Sequence, residues 1–547
     1  MNNRTTLLVF ASLCMLFGFS ACSKKTNKEG RYVPSNASFV LHINGASLSE
    51  KLPWSEVKNN EGWKKLYADS TVPAEVKKIM DDPANSGIDT KKDLMMFVVK
   101  DSLGEYVGIE GSLINEKTFS DFINDASKNQ LVVTDKNGIK TGETTRMALT
   151  WNSDRFVMIA ANGYKFGGLR PAGNDYGSEN KDYAKVSRAV FNLEESKSLG
   201  DDEKFSKLMS DKGDIHFWVN SEEIYKSDAN AGLQMGPLSM LNFTKIIKDA
   251  RTTGTVKFEN GKIVADLKSF SNKDMQKLVE KYWSSKGDAD MIKNIPVENL
   301  GLLMAVSFKP EFIKEYMKLL GAEGLANMGS GMLGFTLDDF IKATKGDFVV
   351  AINDLKLDST GKPEMNVIGA MSINDKTSFE KLLGAVNKTA SQMRKYDSAA
   401  KPPFFYNKSE KYFAIGSSQG SVDAFLSGKK SNTSAITDKY IENGSLFYVN
   451  IQYLMNSFAA KAKDSADQAM LAASQQIWDN MIAYGQGVHS GVGEAHLEIN
   501  MIDKNINSLK QLNTYFNKIA LIEATRKKEV YSLQDYPTDT LSVQMEK

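Results

Sequence analysis

The chain has 547 residues, more than one hydrophobic core usually serves, so its length predicts two or more domains. Hydrophobic residues make up 41% of the chain and charged residues 25%, which is ordinary for a soluble globular protein. Lys and Arg number 68 against 67 Asp and Glu, a formal net charge of +1. This balance argues against a nucleic-acid binder, which needs a basic face to displace counterions.

The first residues have the features of a targeting signal rather than of a folded domain. Arg4 precedes an apolar run over residues 5–19, and the sequence Ser-Ala-Cys then ends at Cys22. This order is typical of a secretory signal peptide. A cysteine directly after Ser-Ala resembles a bacterial lipobox, although Phe19 replaces the usual leucine. The alternatives are an ordinary signal peptide with an incidental cysteine, or an uncleaved transmembrane helix, for which the run falls short of about 20 residues.

Cysteine usage agrees with export and lipidation. The chain has two cysteines, Cys14 within the predicted signal peptide and Cys22. After cleavage no thiol other than a lipidated one would remain for disulfides or cysteine-bound metals. Acyl chains on Cys22 would hold the protein on a membrane. We expect residues 1–21 to be a signal peptide, residues 22–32 a polar tether, and the location to be the cell envelope, at the outer membrane facing the periplasm.

Two stretches of the chain repeat one pattern of apolar strand, polar turn and amphipathic helix. They are Val107–Ile123 and Val367–Leu383, and in both the apolar helix residues recur at i, i+3 and i+4. Thr118 and Thr377, each followed three residues later by a carboxylate, are expected to open the two helices. Further landmarks recur in the same order at a nearly constant offset. The sequence therefore predicts an internal duplication.

The spacing of these landmarks predicts the domain organisation. We expect copy one over residues 33–290, copy two over residues 291–526 and a C-terminal tail over residues 527–547, with the copies joined near residues 284–296. Most adjacent strands have connections too short for a parallel crossover. This predicts an α+β fold in which each copy is a mainly antiparallel sheet with helices on one face. A shortened offset predicts an insertion within Gly163–Asp202 of copy one, either a mobile surface excursion or a binding loop.

Beyond the repeated landmarks the two copies diverge in sequence. In copy one, strands Thr253–Phe258 and Lys262–Leu267 flank an Asn-Gly turn, a strong hairpin signal. In copy two, Ala-rich content predicts a long helix over about Tyr453–Tyr484. A strand Val492–Met501 and a last helix near Ser508–Ala524 are expected to follow, with a partly ordered tail beyond them.

Four features of the chain are shared with a known family. They are the lipobox at Cys22, the sequence Val-Pro-Ser-Asn-Ala from Val33, the sequence Ser-Gly-Ile-Asp at Ser86–Asp89, and Asn-Asp/Glu-Lys turns in both copies. Through their order the chain resembles the large lipoproteins of the Bacteroidetes group catalogued as domain of unknown function 4836. The resemblance implies an envelope lipoprotein of duplicated architecture, and it implies no activity.

One grouping of side chains has the chemistry of a metal site. Glu494, His496 and Glu498 alternate along a strand and so project from one face. Carboxylates and imidazole could bind zinc or manganese. The same alternation with apolar residues is typical of a half-exposed strand, which we favour. We therefore predict no metal and no cofactor, with these three residues as weak candidates only.

The other residues of catalytic type are better explained by packing. His42 and His216 lie in predicted strands, and copy two has aliphatic residues near the matching places: Met304 or Ala305 for His42, and Leu446 for His216. No Gly-x-Ser-x-Gly elbow occurs and no thiol remains for a Cys–His pair, so no catalytic residue is predicted.

The leading hypothesis is a non-catalytic, membrane-anchored binding or structural scaffold of the bacterial envelope. One alternative is an envelope hydrolase with dispersed catalytic residues, which would need a cleft holding His496 or His216 beside carboxylates. The other is a carrier of lipid or another apolar ligand, for which we expect a closed apolar cavity. The expected partners are the membrane, through the lipid anchor, and an envelope protein, a lipid or a glycan, but not nucleic acid.

Overall fold

The structure is a computed structural model that describes most of the chain between residues 30 and 534. The residues outside this description are 1–29, 71, 73, 102–103, 128–129, 146, 162–181, 227–240, 285, 296–298, 325–333, 397–403, 429–433 and 535–547. The predicted signal peptide, the predicted lipidation site Cys22 and most of the predicted polar tether therefore lie outside the described residues.

The strands form one 18-stranded sheet. In the first half of the chain they are β1 (Phe39–Ile43), β2 (Leu94–Asp101), β3 (Gly104–Ser112), β4 (Val132–Lys136), β5 (Ile139–Thr144), β6 (Met147–Trp151), β7 (Arg155–Ala161), β8 (Ile215–Asn220), β9 (Arg251–Glu259) and β10 (Lys262–Phe270). In the second half they are β11 (Leu300–Ser307), β12 (Thr344–Leu357), β13 (Pro363–Ile373), β14 (Phe405–Lys408), β15 (Tyr412–Gly416), β16 (Ser445–Val449), β17 (Trp478–His489) and β18 (Val492–Met501).

Every pairing between these strands is antiparallel. The order across the sheet is β4-β5-β6-β7-β3-β2-β1-β8-β9-β10-β18-β17-β16-β11-β12-β13-β15-β14. The last strands of the two halves, β10 and β18, pair along their length, from Lys262 opposite Asn500 to Phe270 opposite Val492. We call this pairing the seam. The predicted α+β fold with antiparallel sheet is confirmed, and the duplication stays a prediction.

Helices connect these strands throughout the described residues. Those of the first half are α1 (Gly45–Lys51), α2 (Trp54–Lys58), α3 (Glu61–Ala68), α4 (Ala74–Asp81), α5 (Glu116–Ala126), α6 (Tyr183–Phe191), α7 (Glu203–Ser210), α8 (Ser221–Tyr225), α9 (Thr244–Ile247) and α10 (Lys273–Tyr282). Those of the second half are α11 (Ala289–Lys293), α12 (Glu311–Leu320), α13 (Leu337–Ala343), α14 (Lys376–Tyr396), α15 (Gln419–Leu426), α16 (Ser434–Asn443), α17 (Ile451–Ser457), α18 (Ser465–Gln475) and α19 (Ser508–Gln534).

Helices cover both faces of the sheet, which corrects the expectation of helices on one face. In β7, Val157 belongs to a core that includes residues of α6 and α7, whereas its neighbour Phe156 belongs to a second core that includes residues of α4 and α5. In β13 of the second half, Ala370 packs in a core with α15 and α16, and Ile373 in a core with α13 and α14. Successive side chains of a strand point to opposite faces, so apolar residues at consecutive positions serve two cores.

The C-terminal helix of each half packs on helices of the other half. After α10, Trp283 contacts the rings of Phe308 and of Phe312 in α12, with centroids 6.2 and 6.0 Å away. At the other end of the seam, Asn517 of α19 accepts a hydrogen bond from the N–H of Gly62 in α3, at 2.7 Å. The two halves are therefore joined by one strand pairing and by two helix–helix contacts, one at each end of the seam.

Several predicted elements are present in the structure, some with shifted bounds. The hairpin around the Asn-Gly turn is β9 and β10, and the strand Val492–Met501 is β18. Two repeated strand–turn–helix units are β3 with α5 and β13 with α14. The side chains that open these helices are Asn115, bonded to the N–H of Thr118, and Asp375, bonded to the N–H of Ser378, so the expected opening by Thr118 and Thr377 was wrong.

Other predicted elements differ from the structure. The long helix expected over Tyr453–Tyr484 is two helices, α17 and α18, followed by strand β17. Within the predicted insertion, residues 182–202 include helix α6, whose side chains are mostly buried, so this part is core rather than surface excursion; residues 162–181 lie outside the description. The expected junction near 284–296 contributes the fully buried Ile292 to a core. Helix α19 continues to Gln534, into the expected tail.

Candidate functional site

A row of polar side chains crosses the middle of the sheet and the seam. Successive cross-strand partners place these residues on one face, because directly paired residues point the same way. The row, in order over β1, β8, β9, β10, β18 and β17, is His42, His216, Thr255, Asp266, His496 and Tyr484. We call the face that bears this row the histidine face. Three of the four histidines of the chain lie in it.

His42 and His216 form a buried pair. Their Nδ1 atoms lie 2.9 Å apart, and the two residues are 3% and 2% exposed. His216 Nε2 lies 2.9 Å from the carbonyl oxygen of Asp211, and His42 Nε2 lies 3.4 Å from Asp93 Oδ1. One ring must donate to the other, so the pair is satisfied when at least one ring is neutral. Burial lowers the pKa of His216 below its usual value, and the adjacent His42 adds to this effect.

A buried carboxylate anchors the strands beside this pair. Asp214 accepts hydrogen bonds from the Ser47 hydroxyl at 2.5 Å and from the Phe258 N–H at 2.6 Å. Its other contact is Lys51 Nζ at 2.6 Å. These hydrogen bonds and the ion pair offset the free-energy cost of removing the Asp214 carboxylate from water. They also connect α1 to the start of β8 and the end of β9.

His496 lies at the seam between two carboxylates. Its Nδ1 is 2.7 Å from Asp266 Oδ1, and its Nε2 is 3.0 Å from Glu498 Oε1. Lys257 pairs with Asp266 at 2.8 Å and Lys262 with Glu498 at 3.0 Å. The result is a chain of charged and polar side chains that joins β9, β10 and β18. We call these five residues the seam network.

The seam network favours ionised carboxylates. Burial opposes the ionisation of Asp266, yet hydrogen bonds from Lys257 and His496 outweigh it and hold its pKa below the usual value. Burial likewise opposes ionisation of Glu498, and bonds from His496 and Lys262 lower its pKa in the same way. With an acceptor at each ring nitrogen, His496 makes both bonds when both nitrogens carry a proton. The network therefore links the two halves by charge as well as by the strand ladder.

The metal grouping considered from the sequence is brought together only in part. His496 and Glu498 are in contact, but the other partner of His496 is Asp266 rather than Glu494. Among the residues that the structure describes, no group of three or more His, Cys, Asp or Glu side chains is placed to hold a metal ion. Asp266 was missed because it meets His496 across 230 residues of sequence, and no local signal reports that pairing.

The histidine face carries a further titratable residue, Glu110, that was not identified from the sequence. Glu110 of β3 lies opposite Met95 on one side and Val157 on the other, within an apolar surrounding. Burial raises the pKa of Glu110 to about 7, against the attraction of Arg155 and Arg31. The guanidinium of Arg155 is sandwiched between aromatic rings, with its Cζ 3.4 Å from the ring centroid of Tyr32.

The opposite face of the central strands is apolar and incompletely covered. Met304 lies mid-strand in β11, which is paired on both sides, and yet it is 48% exposed. Half-buried apolar side chains continue this face across the seam. They are Leu41, Phe217, Val256, Ile263, Leu267, Leu497, Ile499, Ala483 and Phe447. We call this the apolar face.

A polar groove lies beside the ends of β12 and β13. It holds about 580 Å³, and it is open to solvent. Its lining combines Asn299, Asp354 and Asn366 with Lys356 and Tyr453. This is not the closed apolar cavity that the carrier hypothesis led us to expect.

Comparison with known proteins assigns the chain to a family. The family model described as Domain of unknown function (DUF4836) matches residues 31–399, more than half of the chain. The chain belongs to this family. No curated protein matches it. Among solved structures, crystal forms I and III of TP0453 align at 14% identity with TM-scores of 0.26 and 0.25, covering 46% and 47% of this chain and 81% and 87% of theirs. TM-scores this low do not establish a common fold or a common function.

The geometry of this DUF4836 protein bears on the hydrolase alternative. A general base needs a free ring nitrogen within reach of a substrate proton. Both nitrogens of His496 already contact carboxylates, and His216 is buried against His42. His496 therefore lies beside carboxylates, but neither His496 nor His216 lines the groove beside β12 and β13. Within the described residues, no helix combines the length and the apolar character needed to cross a membrane.

Proposed function

We propose that this DUF4836 protein is a lipid-anchored scaffold of the bacterial envelope that holds a partner or ligand without transforming it. The observation that carries the proposal is the seam, where β10 and β18 join the two halves into one sheet. The two halves of the sheet are paired along the seam, and the C-terminal helix of each half packs on the other half. The halves therefore keep a fixed relative orientation. A fixed platform suits the presentation of binding surfaces, whereas a hinged clamp would need separable halves.

The location rests on the lipobox, and its test is direct. Cys22→Ser should leave the protein unprocessed or release it from membranes, because the acyl chains are attached to that sulfur. Cys14→Ser is the matched control, because Cys14 lies within the segment that is removed. Membrane fractionation with labelled palmitate separates these outcomes. A Cys22→Ser protein that still carries lipid label would refute the anchor.

The scaffold role is tested by native purification. The Cys22-anchored protein is isolated from its own envelope after mild crosslinking, and everything that co-elutes is identified by mass spectrometry. The scaffold at the membrane is supported if a stoichiometric partner co-elutes with the wild-type protein and does not co-elute with the Cys22→Ser variant. Conversion of a co-eluting molecule by the purified protein would contradict a non-catalytic role.

A second candidate, binding of an acyl-chain lipid, is favoured by the apolar face. Contiguous apolar surface that is accessible to solvent is typical of an interaction site. Met304 lies at its exposed part. Met304→Lys should weaken the binding of a fluorescent fatty acid, because the charge would be placed in the acyl site. Val132→Lys, an exposed apolar residue in β4 at the sheet edge, is the control and should bind as the wild type does.

A further inference from the structure

We infer that the polar groove beside the ends of β12 and β13 is a binding site for a neutral saccharide. Its volume of about 580 Å³ lies within the range of small-molecule sites, and its open form lets a chain of sugar units pass through. The inference names a ligand class for the scaffold and so rests on the proposed binding function.

The floor of the groove is a fixed array of hydrogen-bonding groups. The carboxylate of Asp354 accepts one bond from the amide of Asn299 at 3.0 Å and another from the amide of Asn366 at 2.8 Å. Each amide keeps a second N–H and its own carbonyl oxygen, and each carboxylate oxygen keeps a lone pair. Vicinal sugar hydroxyls, each of which both donates and accepts, match such alternating donors and acceptors.

Backbone geometry positions this array. Asn299 and Asp354 have φ of 56° and 49°, in the left-handed region that Asn and Asp adopt more readily than other non-glycine residues. For Asp354 this accompanies a break in the register between β12 and β13 at Asn353–Lys356. The two backbones are bonded to each other, Asp354 N–H to Asn299 C=O at 3.2 Å. The bond places Asp354 between two amides, where it lines the groove.

Apolar contacts and charge decide against other ligand classes. The ring of Tyr453 is oriented by its hydroxyl, which donates to the carbonyl of Leu355 at 3.1 Å, and it lines the groove together with Met365. An aromatic ring beside hydroxyl-matching groups suits the C–H face of a sugar. At the rim Lys356 lies 3.6 Å from Glu364, so these charges offset each other. Asp354 then leaves the groove slightly negative, which disfavours phosphates and acidic polymers.

Titration of the full-length, detergent-solubilised protein with defined tetrasaccharides tests the inference. The probes are maltotetraose, cellotetraose, mannotetraose and chitotetraose, with tetragalacturonate as the acidic comparison, read by calorimetry and saturation-transfer NMR. We expect at least one neutral probe to saturate the protein and tetragalacturonate not to bind. Asp354→Ala should weaken binding roughly tenfold to a hundredfold, the effect of losing hydrogen bonds to a charged group. Glu410→Gln, a distant exposed carboxylate, should leave it unchanged.

A second variant keeps the test decisive if Asp354→Ala fails to fold. Lys356 is 72% exposed, so Lys356→Trp places bulk at the rim without disturbing a core, and it should weaken binding to a similar degree. The inference is overturned if no neutral probe saturates the wild type, if the acidic probe binds as well, or if Lys356→Trp binds normally. A protein partner recovered from membranes without saccharide binding would overturn this inference alone. Saccharide binding by a protein that is not membrane-anchored would overturn the anchored scaffold alone.

Discussion

The first half of the chain has a buried histidine pair where the second half has a pair of apolar residues. His42 and His216 are cross-strand partners in β1 and β8, and Ala305 and Leu446 are partners in β11 and β16. Both arrangements fill a core, but only the histidines can titrate. The pair therefore makes the stability of the first half depend on pH in a way that the second half does not share.

Replacing both histidines should remove this pH dependence. Because the pKa of His216 is lowered in the fold, the unfolded chain takes up its proton first, and the stability that neutral His216 contributes is full above about pH 6.5 and is lost as the pH falls below it. We expect urea unfolding of the double variant His42→Ala/His216→Leu to lack the loss of stability that His216 causes below about pH 6.5, and to be close to wild type at pH 7.5, because both partners are removed together.

Two controls separate this effect from simple loss of packing. His216→Leu alone leaves His42 Nδ1 without a partner and should cost about 1–3 kcal/mol at pH 7.5. His489→Leu removes an exposed histidine and should change neither the stability nor its pH profile. A double variant that keeps the wild-type slope below pH 6.5 would show that the pair is not its origin.

Glu110 should produce the opposite dependence on pH. Its pKa is raised from 4.5 to about 7, so the folded state holds the proton longer; the contribution to stability is full below about pH 4.5 and is lost as the pH rises through 7. Glu110→Gln cannot ionise, and we expect it to exceed the wild type in free energy of unfolding by up to about 3 kcal/mol at pH 8. The gain should vanish at pH 4.5, and Glu410→Gln should show none at either pH.

Residue identities alone could not predict these sites. His496 was singled out because it alternates with Glu494 and Glu498, which correctly placed it on a polar strand face. Its partner Asp266 lies 230 residues away, and the partners His42 and His216 are 174 residues apart. Strand pairing at such separations is set by the whole sheet. The polar row could therefore be found only once the order of strands was known.

At the scale of elements, helix α19 meets α3 at a glycine. A Cβ at Gly62 would lie 3.0 Å from Asn517 Oδ1 and 3.1 Å from the Cβ of Ala520, so the two helices approach closely there. The contact also includes Asn60, whose amide donates to Asn513 at 2.7 Å. The C-terminal helix is thereby held on the first half of the chain.

Enlarging Gly62 should detach α19. Gly62→Leu forces the helices apart and should lower the free energy of unfolding by about 1–3 kcal/mol, with faster cleavage of α19 in limited proteolysis. Gly384→Leu is the matched control, because that helical glycine is open to solvent and leucine is the better helix former. Equal proteolysis of α19 in both variants would contradict the close contact.

The elements that the sequence predicted well are those with strong local signals. The Asn-Gly hairpin and the alternating strand β18 depend on neighbours in the chain, and both appear as expected. The helix expected over Tyr453–Tyr484 was wrong from Trp478 onward, because this segment pairs with β16 and β18 on its two sides. Pairing of that kind overrides weak helix propensity. Helices on both faces were not predicted, because short connections indicate that strands are antiparallel but not on which face each helix packs.

At the scale of the whole molecule, the seam makes one sheet out of two similar halves. Each half has the same order of pairings around its first strand: β2, β1, β8, β9 and β10 correspond to β12, β11, β16, β17 and β18. An edge strand left unpaired is a template for aggregation. Pairing β10 with β18 removes that edge from both halves and continues the apolar face across them. We propose that the two similar halves stay in one chain because neither is complete alone.

Separating the halves should therefore leave each unstable by itself. One fragment ends at Ser284 and the other begins at Lys286. Each fragment, when expressed alone, exposes its seam strand and its part of the apolar face. We therefore expect each fragment to aggregate. Expressed together they should co-purify as a soluble one-to-one complex, measured by size-exclusion chromatography with light scattering. Leu267→Pro in β10 should abolish the complex because it breaks a central ladder, whereas Val132→Pro at the start of edge strand β4 should not. Two soluble monomeric fragments would show independent domains on a linker, and the fixed platform behind the proposed scaffold would then have no basis.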